Sequence, residues 1–191
     1  KQHGNSEDIY KGIFNINDTS VAYVGSVRPQ IGSFASIMET QSIIVAEHFY
    51  AVKHKQKPIL PTKKEMKKQI NIDISFYKNK WSQKYIYSLV MEELYIYQLM
   101  TLVNKHFDFR KMYHSNYDLF KKWILVPWNS VKLLWNCNKH EKRIMKKLDL
   151  LKENNYNYVF NEKLFSRYKN KYGIETILSN LEQVFSNTSQ W

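Results

Sequence analysis

Cysteine is almost missing from this chain. Cys137 is its only cysteine in 191 residues, so no internal disulfide can form, and no Cys/His cluster has the spacing of a metal site. Glycine is scarce too. Gly4, Gly12, Gly25, Gly32 and Gly173 are the full set, and no G-x-G-x-x-G occurs among them. A dinucleotide pyrophosphate normally rests on such a loop, so the chain carries no nucleotide-binding fingerprint of its own. No apolar run reaches bilayer-spanning length, and residues 1–7 hold no signal-peptide core. These absences make the cytoplasm the expected location, with attachment to a membrane surface as the alternative.

What is present is apolar, aromatic and basic. Hydrophobic residues make up 43% and aromatics 15%, enough for a packed interior and too much for general disorder. The formal charge is +12, and it is unevenly placed. Residues 53–84 hold ten lysines against Glu65 and Asp73, and residues 139–152 hold six Lys/Arg against Glu141 and Asp149. Such stretches suit nucleic acid or an anionic membrane surface. Lysine supplies most of the charge and arginine is the better reader of base edges, so a sequence-specific DNA reader is not expected.

Around residues 21–41 the pattern changes from strand to helix. Val21-Ala-Tyr-Val24 reads as a short strand buried on both faces, which suits a mainly parallel sheet. Gly25 breaks it, and a turn with Arg28, Pro29 and Gly32 follows. Ser36 and Glu39 form a capping box, and Ile37, Ile44, Val45, His48, Phe49 and Val52 mark one helical face to about residue 52. Strand, glycine turn and helix N-terminus together can seat an anion, although plain α/β connectivity produces the same pattern. No strand of comparable strength follows, so the sheet is expected to draw on other chain.

Downstream the chain reads as helices. Thr62 and Glu65 form a second capping box, and Met66, Ile70, Ile74, Tyr77 and Trp81 make one apolar stripe. Residues 85–102 are apolar almost all round, with Glu92 and Glu93 at a surface edge or in salt bridges; adjacent helical residues diverge too far to share acid/base work. His106 and His114 lack a third ligand at helical spacing, so no metal site is expected. Trp123, Pro127, Trp128 and Trp135 read as core, residues 131–151 as a basic amphipathic helix, and two short helices follow, the last from Gly173.

The segments Asp8-Ile-Tyr-Lys-Gly-Ile-Phe14, Val21-Ala-Tyr-Val-Gly25, Arg28-Pro-Gln-Ile-Gly32, Glu39-Thr-Gln41 and Leu60-Pro-Thr-Lys-Lys-Glu-Met66 occur in an order and spacing that resembles the C-terminal third of the flavin-containing monooxygenases. The likeness covers roughly residues 8–123 and fades beyond 149. It implies an α/β flavoprotein with two dinucleotide-binding domains, of which this chain would be the C-terminal fragment, mainly α with a short strand and followed by a helical extension. Residues 8–60 would close the FAD domain, 61–151 would form the helical C-terminus, and 152–191 an unassigned helical tail. The Gly-rich loops for FAD and NADPH would lie upstream of Lys1.

The implied activity is transfer of one oxygen atom of O2 to an amine nitrogen or a sulfide sulfur, with FAD and NADPH as cofactors and a small molecule as substrate. The resemblance assigns no catalytic side chain here, and the fragment alone would be inactive. It implies that Gly25, Arg28, Pro29, Gln30, Ile31, Gly32 and Ser33 line the flavin or its ribityl-pyrophosphate arm. Ala35 and Ser36 stand where the family carries prolines, and Ser42-Ile-Ile44 where it carries an arginine. A degenerate relic of the family is therefore one alternative. A non-catalytic basic module that binds nucleic acid or an acidic membrane is the other.

Overall fold

The protein is described from a computed structural model, which covers residues 8–29, 33–81, 90–104, 108–125, 146 and 156–186. They form two compact units, one ending at Asn104 and one beginning at Asp108. The described residues are mainly helical, with one small sheet.

The first unit opens with a meander. β1 (Ile9–Tyr10), β2 (Phe14–Asn15) and β3 (Asp18–Ala22) pair antiparallel in chain order. The buried parallel strand expected at residues 21–24 is therefore corrected. Its strand partner is β2, which pairs in turn with β1, and at two residues each these leave no periodic signal. Val21, Tyr23 and Val24 are 50%, 45% and 41% exposed. A run of β-branched residues reads alike whether a strand is covered on both faces or only half covered.

The β1–β2 turn is unusual. Ile13 N–H bonds Tyr10 O at 3.0 Å, and Lys11 and Gly12 both take left-handed φ, +51° and +68°. That mirror-image geometry matches the twist of a hairpin. Glycine adopts it freely, whereas lysine does so only where its surroundings hold it. Here they do: Lys11 is 4% exposed, with Nζ 2.9 Å from Asp73 Oδ2 and 2.8 Å from Gln98 Oε1.

Three helices pack on the meander. α1 (Phe34–Lys53) starts at Ser33, whose Oγ accepts Ser36 N–H at 3.4 Å. The cap is thus three residues earlier than the expected Ser36–Glu39 box, and Ser36 is buried. α2 (Lys63–Trp81) starts as expected: Thr62 N–H donates to Glu65 Oε2 at 2.9 Å, and Glu65 N–H donates to Thr62 Oγ1 at 3.3 Å. The Thr62 hydroxyl, donating to Glu65 Oε2 at 2.7 Å, and then the Thr62 N–H hold the Glu65 carboxyl below the usual range. α3 (Glu92–Leu102) buries Tyr95, Ile96, Leu99 and Met100. The core joins Ile13, Phe14, Val27, Ile37, Ile44, Val90, Tyr95 and Leu99, with Tyr10, Ile16, Met66 and Ile70 in a second cluster.

His48 belongs to the first unit's interior. It is 5% exposed and meets Phe14 edge-on at 4.9 Å between ring centroids. Its Nδ1 has no hydrogen-bond partner among the described residues. Burial lowers its pKa, partly opposed by a backbone hydrogen bond at Thr19.

The second unit is helical where it is described: α4 (Phe109–Ser115), α5 (Tyr117–Leu125), α6 (Tyr156–Tyr172) and α7 (Ile174–Ser186). Tyr113, Tyr117 and Phe120 form a ring cluster that extends to Phe165. Arg110 spans one face of α7, binding Glu175, Ser179 and Glu182. Gly173 separates α6 from α7 at φ +77°, a left-handed helix stop. Trp128, Trp135, Cys137 and the basic helix expected at 131–151, Lys146 apart, lie outside the described residues.

Two outcomes are expected. Lys11→Met leaves the Asp73 carboxylate buried without its ammonium and lowers unfolding free energy by about 3–5 kcal/mol. Lys11→Met/Asp73→Leu costs less than the two single changes summed, measured by denaturant unfolding. For His48, the folded pKa lies below the ordinary 6.5, so the unfolded chain binds the proton first. Stability is then complete above that value and falls as pH drops through it. His48→Phe should flatten the pH dependence of the melting midpoint between roughly pH 7.5 and 5.5; identical slopes in the two proteins would refute this.

Candidate functional site at the Gly25–Ser33 turn

Of the seven residues that the resemblance assigns to cofactor contact, Gly25, Arg28, Pro29 and Ser33 are described, while Gln30, Ile31 and Gly32 lie outside the described residues. The turn is anchored from below. Val27 is fully buried, Val90 N–H donates to Arg28 O at 2.9 Å, and Pro29 bridges Val90 in parallel.

Gly25 has φ +85°, a conformation that L side chains rarely adopt. A Cβ there would lie 3.7 Å from Phe34 Cζ and from Met38 Cε, ordinary contact distances. Glycine is thus required by the backbone angle and not by lack of room. The Gly25 N–H donates to Gln41 Oε1 at 2.8 Å.

At the other end of the turn, Ser33 N–H donates to Glu92 Oε2 at 2.8 Å. Glu92 is 5% exposed, so of the two expected roles, surface edge or salt bridge, the surface edge is corrected. Its carboxylate belongs to the first turn of α3 and reaches the start of α1, so two helix N-termini favour its charge. Whether Glu93 shares any of this lies outside the described side chains.

A phosphate cradle needs free backbone N–H groups at a helix start. Here the N–H of Gly25 goes to Gln41, that of Ser33 to Glu92 and that of Ser36 to Ser33 Oγ. The N–H groups of Gly25, Ser33 and Ser36 are therefore not open to a backbone-held pyrophosphate. Arg28 differs: its side chain is exposed, and no carboxylate meets it among the described residues. Among the described residues of this turn it is a cation open to an anion. Tyr23, Val24, Phe34 and Met38 are exposed apolar residues of the same segment, and Phe34 and Met38 lie beside Gly25.

The residues that hold the turn were not among the assigned ones. Gln41 is fully buried in the middle of the α1 face that Ile37, Ile44 and His48 define, and Asp73 is buried within the Met66–Ile70 stripe of α2. A polar residue at core register is the sequence sign of such a network, and a search for apolar periodicity passes over it. Among the described residues no His/Cys/Asp/Glu group could hold a metal, and no described helix is long and apolar enough to cross a membrane.

Comparison with family models, curated proteins and solved structures finds no match. The likeness to flavin monooxygenases therefore rests on the quoted segments alone.

Glu92→Ala should lower stability by about 1.5–3 kcal/mol, since a buried charge-assisted bond to Ser33 N–H is lost. Glu92→Gln keeps an acceptor and should cost less. Denaturant unfolding with unchanged m-value reads both, and equal costs would show that the Ser33 contact contributes little.

Proposed function

We propose that this chain is the C-terminal portion of a flavin-dependent monooxygenase, which uses FAD and NADPH to insert one oxygen atom of O2 into an amine nitrogen or a sulfide sulfur. One observation carries the reading. Three of the segments that resemble the family, Asp8–Phe14, Val21–Gly25 and Glu39–Gln41, are joined through Tyr95 in a single bonded network: Gly25 N–H to Gln41 Oε1, Gln41 Nε2 to Tyr95 Oη, and Tyr95 Oη to Lys11 O.

In this role the chain supplies surroundings for the chemistry. Flavin, when bound to the whole protein, carries electrons from NADPH to oxygen. Arg28 offers a cation to a phosphate or an acidic group of the remaining protein. Val21, Tyr23, Val24, Phe34 and Met38, each 37–50% exposed, offer apolar surface for further protein to cover and keep dry. Exposed apolar patches of this kind commonly mark contact surfaces. The occupied N–H groups of Gly25 and Ser33 direct any charged contact to Arg28, away from the backbone.

A second reading has its own support. Lys53, Lys55, Lys57, Lys63, Lys64 and Lys68 are all exposed along the end of α1, the following link and the start of α2. A basic module of this kind would bind nucleic acid or an anionic membrane.

The decisive protein is this chain joined to whatever natural sequence precedes it. The monooxygenase reading expects a yellow protein that consumes NADPH faster when a tertiary amine or thioether is added, with lower flavin occupancy in Arg28→Ala. A colourless protein that consumes no NADPH overturns it and leaves the relic. RNA or anionic-vesicle retention that weakens steeply with salt, with a slope of several phosphate contacts, supports the basic module instead.

A further inference from the structure

Gln41 can be oriented in one way only. Tyr95 has a single hydroxyl proton, and its oxygen lies 2.6 Å from Lys11 O, which can only accept. That proton is therefore committed to Lys11. The Gln41 side chain, 2.8 Å from Tyr95 Oη, must then present its NH2 group to Tyr95. Its carbonyl is left facing the Gly25 N–H, again at 2.8 Å. Each bond thus dictates the direction of the next.

The far end of this line is anchored hard. Lys11 is buried in a left-handed conformation, with its ammonium between Asp73 on α2 and Gln98 on α3. The neighbouring carbonyl, Gly12 O, accepts from Ser26 Oγ at 2.7 Å. The Lys11–Gly12 turn and the Gly25–Ser26 turn are thus linked twice, directly through Ser26 and indirectly through Tyr95 and Gln41.

We propose that Gln41 and Tyr95 are positioning residues that set the backbone of the candidate contact turn at Gly25 from the buried Lys11 turn. Gln41 consumes the Gly25 N–H, so Gly25 shapes the turn without donating to a ligand. Ligand contacts fall to Arg28 and to the outer apolar residues. The relay names what holds the proposed cofactor-facing turn, but its existence does not depend on flavin.

Residue-resolved amide hydrogen exchange on the full chain, followed by NMR, tests this without any cofactor. In the wild type the Gly25 N–H should be protected, and exchange at the free-peptide rate would overturn the relay outright. Tyr95→Phe removes a hydroxyl that bonds Gln41 and Lys11 O and not Gly25, yet it should speed Gly25 exchange roughly tenfold while the Ile44 and Leu99 amides keep their rates. Gln41→Met should do the same, and Gln41→Met/Tyr95→Phe should match Gln41→Met alone. An unchanged Gly25 rate in Tyr95→Phe, or equal acceleration at Ile44 and Leu99, would sink the proposal, the latter by showing general loosening. A responsive Gly25 leaves the relay standing whatever the flavin test of the upstream-extended protein gives, and a colourless extended protein removes the monooxygenase reading alone.

Discussion

A buried lysine in a left-handed turn organises the first unit. Lys11 brings a charge into the interior and a backbone angle that lysine adopts reluctantly. Both are unfavourable alone. They persist because Asp73 and Gln98 take the ammonium and Tyr95 takes the carbonyl. Those three partners belong to α2 and α3, so the hairpin turn cannot be satisfied until both helices have docked. Buried ion pairs contribute little net stability, but they are intolerant of wrong arrangements.

The same accounting of donors decides what the Gly25–Ser33 turn can do. Its glycine and its helix start look from the sequence like an anion seat. Once the side chains are placed, Gln41 and Glu92 have taken the N–H groups of Gly25 and Ser33. The chain places its own carboxylate where a phosphate would be expected to bind. What stays outward is a guanidinium and an apolar surface, and these suit contact with more protein or with part of a ligand better than they suit a backbone cradle.

Local signals were readable wherever the partners are near in sequence. The Thr62–Glu65 cap is a three-residue relationship, and α2 begins where it says. The break at Gly173 needs only its own φ and the Lys169 carbonyl. By contrast, the strand expected at residues 21–24 overlaps β3 only at Val21 and Ala22, and its half-exposure was not legible, because that depends on what covers Val21 and Val24. Glu92 was misplaced for the same reason: the group it serves, Ser33 N–H, lies 59 positions away.

The amino-acid sequence by itself determined a mainly helical chain with a short strand, the glycine turn after it, the basic stretch beyond α1 and the apolar faces of α1 and α2. These follow from periodicity and capping, which act within a few residues. Only the tertiary structure decided that Gln41 faces Tyr95 across 54 positions, and that Lys11 meets Asp73 across 62 and Gln98 across 87. A polar side chain in an apolar stripe shows that a partner must exist. Which residue it is, and so which backbone groups remain for a ligand, depends on chain segments brought together only by folding.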